Sequence, residues 1–166
     1  IERVLENLGY DPPDDMLRRN FHYYLPRTSH GSTLSRLVHA YLAYGIGDRD
    51  LGWTYYFEAL KSDFIDIQGG TTKEGIHAGV MAGTVLFALR AFAGLSWVDE
   101  QLKLKPNLPE TWRSMKFNLG FKGARFYFDI SKERVKTKLV ADNAQSIFVD
   151  QEQIKLDPNI WGKINQ

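Results

Sequence analysis

The sequence contains no cysteine among its 166 residues, which excludes disulfide bonds and thiolate metal sites. It also lacks an excess of charge, because 21 lysines and arginines balance 20 aspartates and glutamates to a net +1. This balance does not favour nucleic acid or a membrane surface as a partner. The absence of cysteine is typical of a reducing compartment, and we expect a cytoplasmic protein.

Long apolar runs are also scarce, and the one present extends from Ile76 to Leu95. It contains His77, Arg90 and three glycines, which favours a helix buried in a helical core over a membrane span. The chain starts at Ile1, and no basic segment followed by an apolar one comes after it. We therefore expect no signal peptide, and a start without methionine suggests a piece of a longer protein.

Apolar residues recur at helical spacing in the first part of the chain and alternate with polar residues in the second. The helical spacing predicts five helices, over about 1–8, 14–24, 32–46, 50–62 and 73–94. The alternation predicts about six short antiparallel strands, each with one buried face and with lysines on the solvated face. Helices followed by strands indicate an α+β chain of two adjoining modules, 1–95 and 96–166.

Hydroxyl side chains, an imidazole and a guanidinium are concentrated between Arg27 and Ser35. The amphipathic stripe of the third helix begins just after this segment, so Ser32 or Thr33 can cap the helix, and Gly31 permits a tight turn. A helix N-terminus offers unpaired N–H groups and a partial positive charge to anions. Two interpretations stay open: a site for a phosphate-like oxyanion, or an ordinary helix cap with additional serines.

A second helix start follows two glycines and two threonines. Glu74 lies three residues after Thr71, which is the spacing of a capping box. The helix that follows carries small residues on its surface, which permit close approach by a neighbouring helix. We therefore predict that it is central in its module.

Three stretches resemble glycoside hydrolase family sixty-five, the disaccharide phosphorylases that act on maltose, trehalose, kojibiose and related α-glucosides. The first, Arg27-Thr28-Ser29-His30-Gly31-Ser32-Thr33-Leu34-Ser35, resembles the family's Thr/Ser-His-x-Ser-Ser/Thr-Leu-Ser segment. The second, Asp66-Ile67-Gln68-Gly69-Gly70-Thr71-Thr72-Lys73-Glu74-Gly75-Ile76-His77, resembles its Gln-Gly-x-Thr-x-x-Gly-Ile-His segment. The third comprises Phe92-Ala93-Gly94, Leu104, Pro106, Leu108-Pro109, Trp112 and Phe117, and it resembles the family's passage into its terminal β domain.

The resemblance implies that the chain holds the last helices of an (α/α)6 barrel, followed by a small antiparallel β-sandwich-like domain. It further implies an inverting phosphorolysis, in which inorganic phosphate, as co-substrate, cleaves an α-glucosidic bond without a cofactor or metal. The family's general acid and a Lys-Gln pair lie upstream, so we expect no catalytic residue in this chain. Glu58 and Glu74 are explained by a solvated helix face or a cap.

The resemblance places residues of both helix starts around one phosphate. The predicted phosphate-binding residues are Gly31, Ser32, Thr33 and His77. His30, Arg27 and Gln68 are further candidates. His30 would either face the pocket or brace the segment, and Arg27 would either attract the anion or pair with Asp63 or Asp66.

The expected partners are a disaccharide, phosphate and the upstream part of the same enzyme, with a homodimer left open and neither nucleic acid nor a membrane expected. One alternative is a trehalase-like hydrolase of the same family, in which water replaces phosphate. Another is a non-catalytic carbohydrate-binding or structural module, which would expose aromatic side chains on a strand face. Against the latter, the alternation predicts a buried face for four phenylalanines: Phe117, Phe121, Phe126 and Phe128.

Overall fold

The computed structural model of the protein describes residues 2–66 and 71–165. The chain forms two compact units, 1–84 and 85–166. The first unit is helical, and the second carries the strands, which start at Ser96. This order of elements is the α+β architecture that the change in periodicity predicts, while the boundary after residue 95 stays a prediction.

Five α-helices precede the strands: α1 Glu2–Asn7, α2 Met16–Tyr24, α3 Thr33–Gly45, α4 Arg49–Lys61 and α5 Ala78–Phe87. Two 3₁₀ turns, Leu25–Arg27 and Thr71–Glu74, precede α3 and α5, and a π-helical turn, Ala88–Phe92, continues α5. The predicted helix over 73–94 is therefore wrong in its first part. Gly75 has a φ of +98°, which lies outside the right-handed helical region, so α5 begins only after His77.

Helices α3 and α4 form a hairpin whose connection turns at Gly47, with a φ of +86°. The Asp48 side chain accepts a hydrogen bond from the Leu51 N–H at 3.1 Å and so caps α4. The backbones approach closely at Gly52, where a Cβ would lie 3.3 Å from the Tyr44 nitrogen. A small core between α2 and this hairpin contains Phe21, Ala43 and Ile46, with Leu17, Leu25, Leu42 and Leu51 against it.

Helices α3 and α5 also meet closely. A Cβ on Gly83 would overlap the Leu37 side chain, so a side chain at residue 83 would force Leu37 to move. Gly79 has open space at the same position. One of the small residues predicted to permit close approach therefore does so, about a turn and a half into each helix.

Eight strands form two four-stranded sheets. They are β1 Ser96–Val98, β2 Gln101–Leu104, β3 Ser114–Phe121, β4 Ala124–Ser131, β5 Arg134–Val140, β6 Gln145–Val149, β7 Glu152–Leu156 and β8 Trp161–Asn165. The orders are β1-β2-β6-β7 and β3-β4-β5-β8. Strands β2 and β6 pair in parallel, contrary to the expectation of antiparallel pairs throughout. The reason is that β3, β4 and β5 intervene in the other sheet before the chain returns beside β2.

The core of the second unit contains Phe126 and Phe128, both almost fully buried. Phe117 and Phe121 are partly buried and pack against the same core. These phenylalanines therefore do not form an exposed aromatic strand face. On the solvated side of β3 and β4, Lys116 pairs across the strands with Asp129 at 3.3 Å.

Within residues 2–66 and 71–165, no helix combines the length and hydrophobicity that a bilayer crossing requires.

Candidate functional site

Ser32 is the N-cap of α3. Its backbone is extended, with φ −134° and ψ 142°, and its Oγ accepts a hydrogen bond from the Leu34 N–H at 3.3 Å. Ser32 is exposed, whereas Thr33 is 2% exposed. An accepting lone pair does not use the hydroxyl proton, so the Ser32 O–H can still donate to a ligand.

The left-handed turn of this segment lies at His30, with a φ of +50°, rather than at Gly31. A Cβ on Gly31 would lie 3.7 Å from Ser29 Oγ, an ordinary contact. Within the unit, the backbone of Gly31 therefore does not require glycine. Because Gly31 is exposed and has no side chain, it leaves room for a ligand to approach the backbone.

His30 Nδ1 lies 2.9 Å from the hydroxyl of Ser35. His39 Nδ1 lies 2.8 Å from the Ser35 carbonyl, which can only accept, so this nitrogen carries a proton. The two rings meet edge to face with centroids 4.5 Å apart, and both lie near Tyr55. These contacts favour the bracing role of His30.

The pKa of His30 is lowered, mainly because partial burial penalises the charged ring, and also because Arg36 and His39 are nearby. Arg36 itself pairs with Glu58 of α4 at 3.1 Å, with 21% and 33% of the two side chains exposed. Glu58 therefore links α4 to α3 through this ion pair. The start of α3 keeps a neutral imidazole next to a paired guanidinium.

The start of α5 has a different arrangement, centred on His77. Asp63 Oδ2 accepts the His77 backbone N–H at 3.0 Å, and Asp63 Oδ1 accepts from His77 Nδ1 at 2.7 Å. Glu74 Oε2 lies 3.6 Å from the other ring nitrogen, Nε2. The Asp63 side chain is 7% exposed and the Glu74 side chain 70%, so the first contact is sheltered from water and the second is not.

The pKa of His77 is raised, first by the hydrogen bond to Asp63, then by the charge of Asp63 and the contact with Glu74. The carbonyl of His77 accepts the N–H groups of Val80 and Met81 at 2.9 and 3.0 Å. The residue is therefore fixed at the first turn of α5 by its own backbone and by Asp63. The arrangement favours the cationic form of the ring beside a helix N-terminus.

The remaining candidates lie elsewhere. The Arg27 guanidinium donates to the Tyr23 carbonyl at 2.6 Å and lies 4.0 Å from the centre of the Tyr23 ring. The carboxylate of Asp63, one of the partners considered for Arg27, is instead bound to His77. Gln68 lies outside the described residues.

The structure thus groups His30, Ser35 and His39 at one helix start, and Asp63 with His77 at the other. The sequence did not predict the role of Asp63, because Asp63 and His77 are 14 positions apart and no local pattern connects them. The only available signal was that His77 needs a hydrogen-bond acceptor for one of its ring nitrogens. In the described parts of the chain, no group of three or more histidine, aspartate or glutamate side chains is arranged to hold a metal ion.

Two family models match the chain. The Glycosyl hydrolase family 65 central catalytic domain matches residues 4–86, and the Glycosyl hydrolase family 65 C-terminal domain matches residues 95–156.

Three relatives illustrate the similarity. Trehalose 6-phosphate phosphorylase of Lactococcus lactis is 38% identical over 93% of this chain and 20% of that protein. Alpha,alpha-trehalose phosphorylase of Thermoanaerobacter brockii is 32% identical over 86% and 18%, and kojibiose phosphorylase of Halothermothrix orenii is 30% identical over 96% and 21%. The chain therefore spans about a fifth of the length of these relatives.

A solved structure assigned as a kojibiose phosphorylase from the human microbiome has the same fold. It aligns with 98% of this chain and 22% of that one, with a TM-score of 0.75 and 26% sequence identity.

Proposed function

The chain belongs to glycosyl hydrolase family 65, and on that premise we propose that it is the C-terminal part of an inverting disaccharide phosphorylase. The enzyme cleaves an α-glucosidic bond with inorganic phosphate. Residues 1–95 contribute the last helices of an (α/α)6 barrel, and residues 96–166 form its terminal β domain. The chain supplies phosphate-binding residues, and the upstream part supplies the general acid.

The observation that carries this proposal is the contact of His77 with Asp63 at the start of α5, which favours the cationic form of the imidazole. Phosphate is already anionic and nucleophilic, so it needs positioned donors and no carboxylate base. A hydrolase instead needs a base that activates water, whereas the contact of His77 with Asp63 favours the cationic form of the ring, which donates a hydrogen bond and cannot accept a proton. The phosphorylase names of the relatives support the same choice.

The contact between Leu37 and Gly83 supports a shared site. Ser32 lies five residues before Leu37, and His77 lies six residues before Gly83. At about 1.5 Å per residue, each lies roughly 8–9 Å along its helix from the contact. The proposal requires that α3 and α5 run in the same direction, and with helix axes about 8–10 Å apart both starts would then lie within reach of one phosphate.

Each proposed donor has a defined role. Thr33 offers its backbone N–H group, because the first turn of a helix leaves such groups without intrahelical partners, and Gly31 allows the anion to approach closely. Ser32 offers its hydroxyl proton, and His77 offers Nε2–H. The phosphate held in this way attacks the anomeric carbon from the face opposite the leaving oxygen, which the upstream acid protonates. His30 and Arg27 act on the segment rather than on the anion.

The test uses the full-length enzyme and four disaccharides. Trehalose 6-phosphate, trehalose and kojibiose are taken from the names of the three relatives, and maltose is taken from the family resemblance. With the best of these, Ser32→Ala and His77→Ala should each raise KM for phosphate about tenfold or more, because a hydrogen bond to a charged group contributes about 1.5–3 kcal/mol. KM for the disaccharide should change little. His22→Ala and Ser29→Ala, at exposed residues outside the proposed site, are the matched controls.

An equal rise in both KM values would contradict the phosphate assignment. Hydrolysis without phosphate, and no phosphorolysis of any of the four sugars, would contradict the proposed reaction.

The wider setting follows from the same proposal. The protein acts in the cytoplasm with phosphate as co-substrate and without a cofactor. Its partners are the disaccharide, phosphate and the upstream part of its own chain, without nucleic acid or membrane. Light scattering on the full-length protein distinguishes a monomer from a homodimer.

A further inference from the structure

Asp63 uses both of its oxygens on a single residue. Oδ2 accepts the backbone N–H of His77, and Oδ1 accepts from its ring Nδ1 at 2.7 Å. Only 7% of the side chain is exposed. A carboxylate this buried costs free energy unless it is paired, and here the pairing fixes both the position and the orientation of one imidazole.

The orientation determines what Nε2 can do. Since Asp63 accepts from Nδ1, that nitrogen keeps its proton in every form of the ring that preserves the contact. In the neutral ring Nε2 is then a bare acceptor, which an anion repels. Only in the doubly protonated ring does Nε2 carry a hydrogen that it can donate to phosphate.

We propose that Asp63 is a positioning residue for phosphate: it holds His77 so that Nε2 faces the anion, and it makes donation from Nε2 depend on the cationic ring. This inference rests on the proposed function of His77. Asp63 itself does not touch the substrate.

Glu74 is the second group at this ring. Its carboxylate lies 3.6 Å from Nε2 and is 70% exposed, so it can move into solvent at little cost. It occupies the direction from which phosphate would approach, and it is displaced when the anion binds. Among the residues the structure describes, the charged groups recorded at the His77 ring are Asp63 and Glu74.

The consequence for pH has a definite sign. The pKa of His77 is raised, so the cationic ring persists below that value and is lost as pH rises through it. KM for phosphate should therefore rise at high pH because Nε2 loses its proton. The titration of phosphate itself contributes to the same profile, but it cancels when a variant and the wild type are compared at each pH.

Asp63→Asn separates the two roles of the carboxylate. The backbone N–H of His77 must donate, so the amide oxygen would face it and the amide NH₂ would face Nδ1. Nδ1 would then accept, and Nε2 would carry its proton in the neutral ring. The variant keeps the fixed position but loses the charge, so the dependence of phosphate binding on ring protonation should disappear.

The experiment measures both KM values and kcat of full-length wild type, Asp63→Asn and the control Asp15→Asn between about pH 5.5 and 9. Asp15 is an exposed carboxylate whose ion pair is confined to α2 and the residue before it. For Asp63→Asn we expect a rise of about tenfold in KM for phosphate near neutral pH, from the loss of a charge-assisted hydrogen bond. We also expect a ratio to wild type that falls as pH rises, and an unchanged KM for the disaccharide.

A ratio that is constant across this pH range, or equal changes in both KM values, would overturn the positioning role. If Asp63→Asn does not fold, Asp63→Glu replaces it. The longer side chain keeps the charge and misplaces the ring, so KM for phosphate should rise about fivefold with the pH dependence retained. An unchanged KM in Asp63→Glu would overturn the inference.

His77→Ala distinguishes a failure of the positioning role of Asp63 from a failure of the phosphate-binding role of His77. If it raises KM for phosphate selectively while the Asp63 variants do not, the phosphate role of His77 stands and the role of Asp63 fails. If it has no selective effect, the proposed function of His77 fails, and the inference fails with it.

Discussion

The two helix starts of the first unit contain the same chemical group in opposite electrostatic environments. At α3, His30 is partly buried beside Arg36, and its pKa is lowered. At α5, His77 contacts two carboxylates, and its pKa is raised. The comparison shows that an imidazole near a helix N-terminus has no fixed role. Its neighbours determine whether it braces a loop as a neutral ring or presents a cation to an anion.

The largest effect is expected at Ser32, where a substitution tests whether the cap of α3 also binds phosphate. In Ser32→Asp the carboxylate caps α3 as well as serine does, but it places a negative charge where the phosphate is proposed to bind. KM for phosphate should rise about a hundredfold, since a donor worth about 1.5–3 kcal/mol is replaced by a repelling charge. Thermal unfolding of the full-length protein should be unchanged, which serves as the control for the cap. An unaltered KM would leave Ser32 as a cap only.

The ion pair between Arg36 and Glu58 lies beside His30, and Arg36 contributes to the lowered pKa of that histidine. Arg36→Met leaves Glu58 partly buried without its partner, and we expect a loss of about 2 kcal/mol in the free energy of unfolding. The pKa of His30 should also rise towards its ordinary value, because one cause of its lowering is removed. Urea unfolding and histidine NMR titration measure the two effects.

Arg19→Met is the matched control for this prediction. Arg19 pairs with Asp15 at 3.6 Å on the surface, with more than half of both side chains exposed. Such a pair contributes about 0–1 kcal/mol, so the control should lose little stability. Equal losses in the two variants would mean that the pair between α3 and α4 has no special importance.

The close approach of α3 and α5 at Gly83 can be tested through stability. Gly83→Ala should destabilise the protein by about 1–2 kcal/mol relative to Gly79→Ala, because its Cβ overlaps Leu37 while the other enters open space. Both variants replace a glycine of α5 by alanine, so the difference reports the overlap. If Gly83→Ala proves as stable as Gly79→Ala, the close approach of α3 and α5 is wrong.

Much of the first helix start could be predicted because its determinants are local. The serine that caps α3 and the amphipathic stripe after it lie within a few residues of each other. The left-handed turn before the cap lies at His30, one residue before the predicted Gly31. The change from helical spacing to alternation likewise predicts the order of helices and strands. These features depend on neighbours along the chain, which a sequence displays directly.

The second helix start could not be predicted in the same way. Asp63 reaches His77 across a connection that no periodicity describes, and the parallel pairing of β2 with β6 depends on strands that lie between them in sequence. At Gly75 the apolar pattern continues while the backbone turns out of the helix. In each case a tertiary contact or a single backbone angle overrides a local pattern.

The smallest expected effects are changes in stability with pH, and they should have opposite signs for His30 at the start of α3 and His77 at the start of α5. The raised pKa of His77 contributes stability that is present below about pH 6.5 and lost as pH rises through that raised value. The lowered pKa of His30 reduces the stability of the folded protein at low pH. This loss of stability disappears as pH rises towards about 6.5. Thermal midpoints of His77→Ala and His30→Ala against pH should therefore diverge from wild type in opposite directions. Parallel shifts would contradict the assignment of charge.

The most direct test is a crystal structure of the full-length enzyme with bound phosphate. We expect one anion within about 2.7–3.2 Å of both Ser32 Oγ and His77 Nε2, with Asp63 still bound to Nδ1. An anion bound elsewhere, or a His77 Nε2 that points away from Ser32, would contradict it.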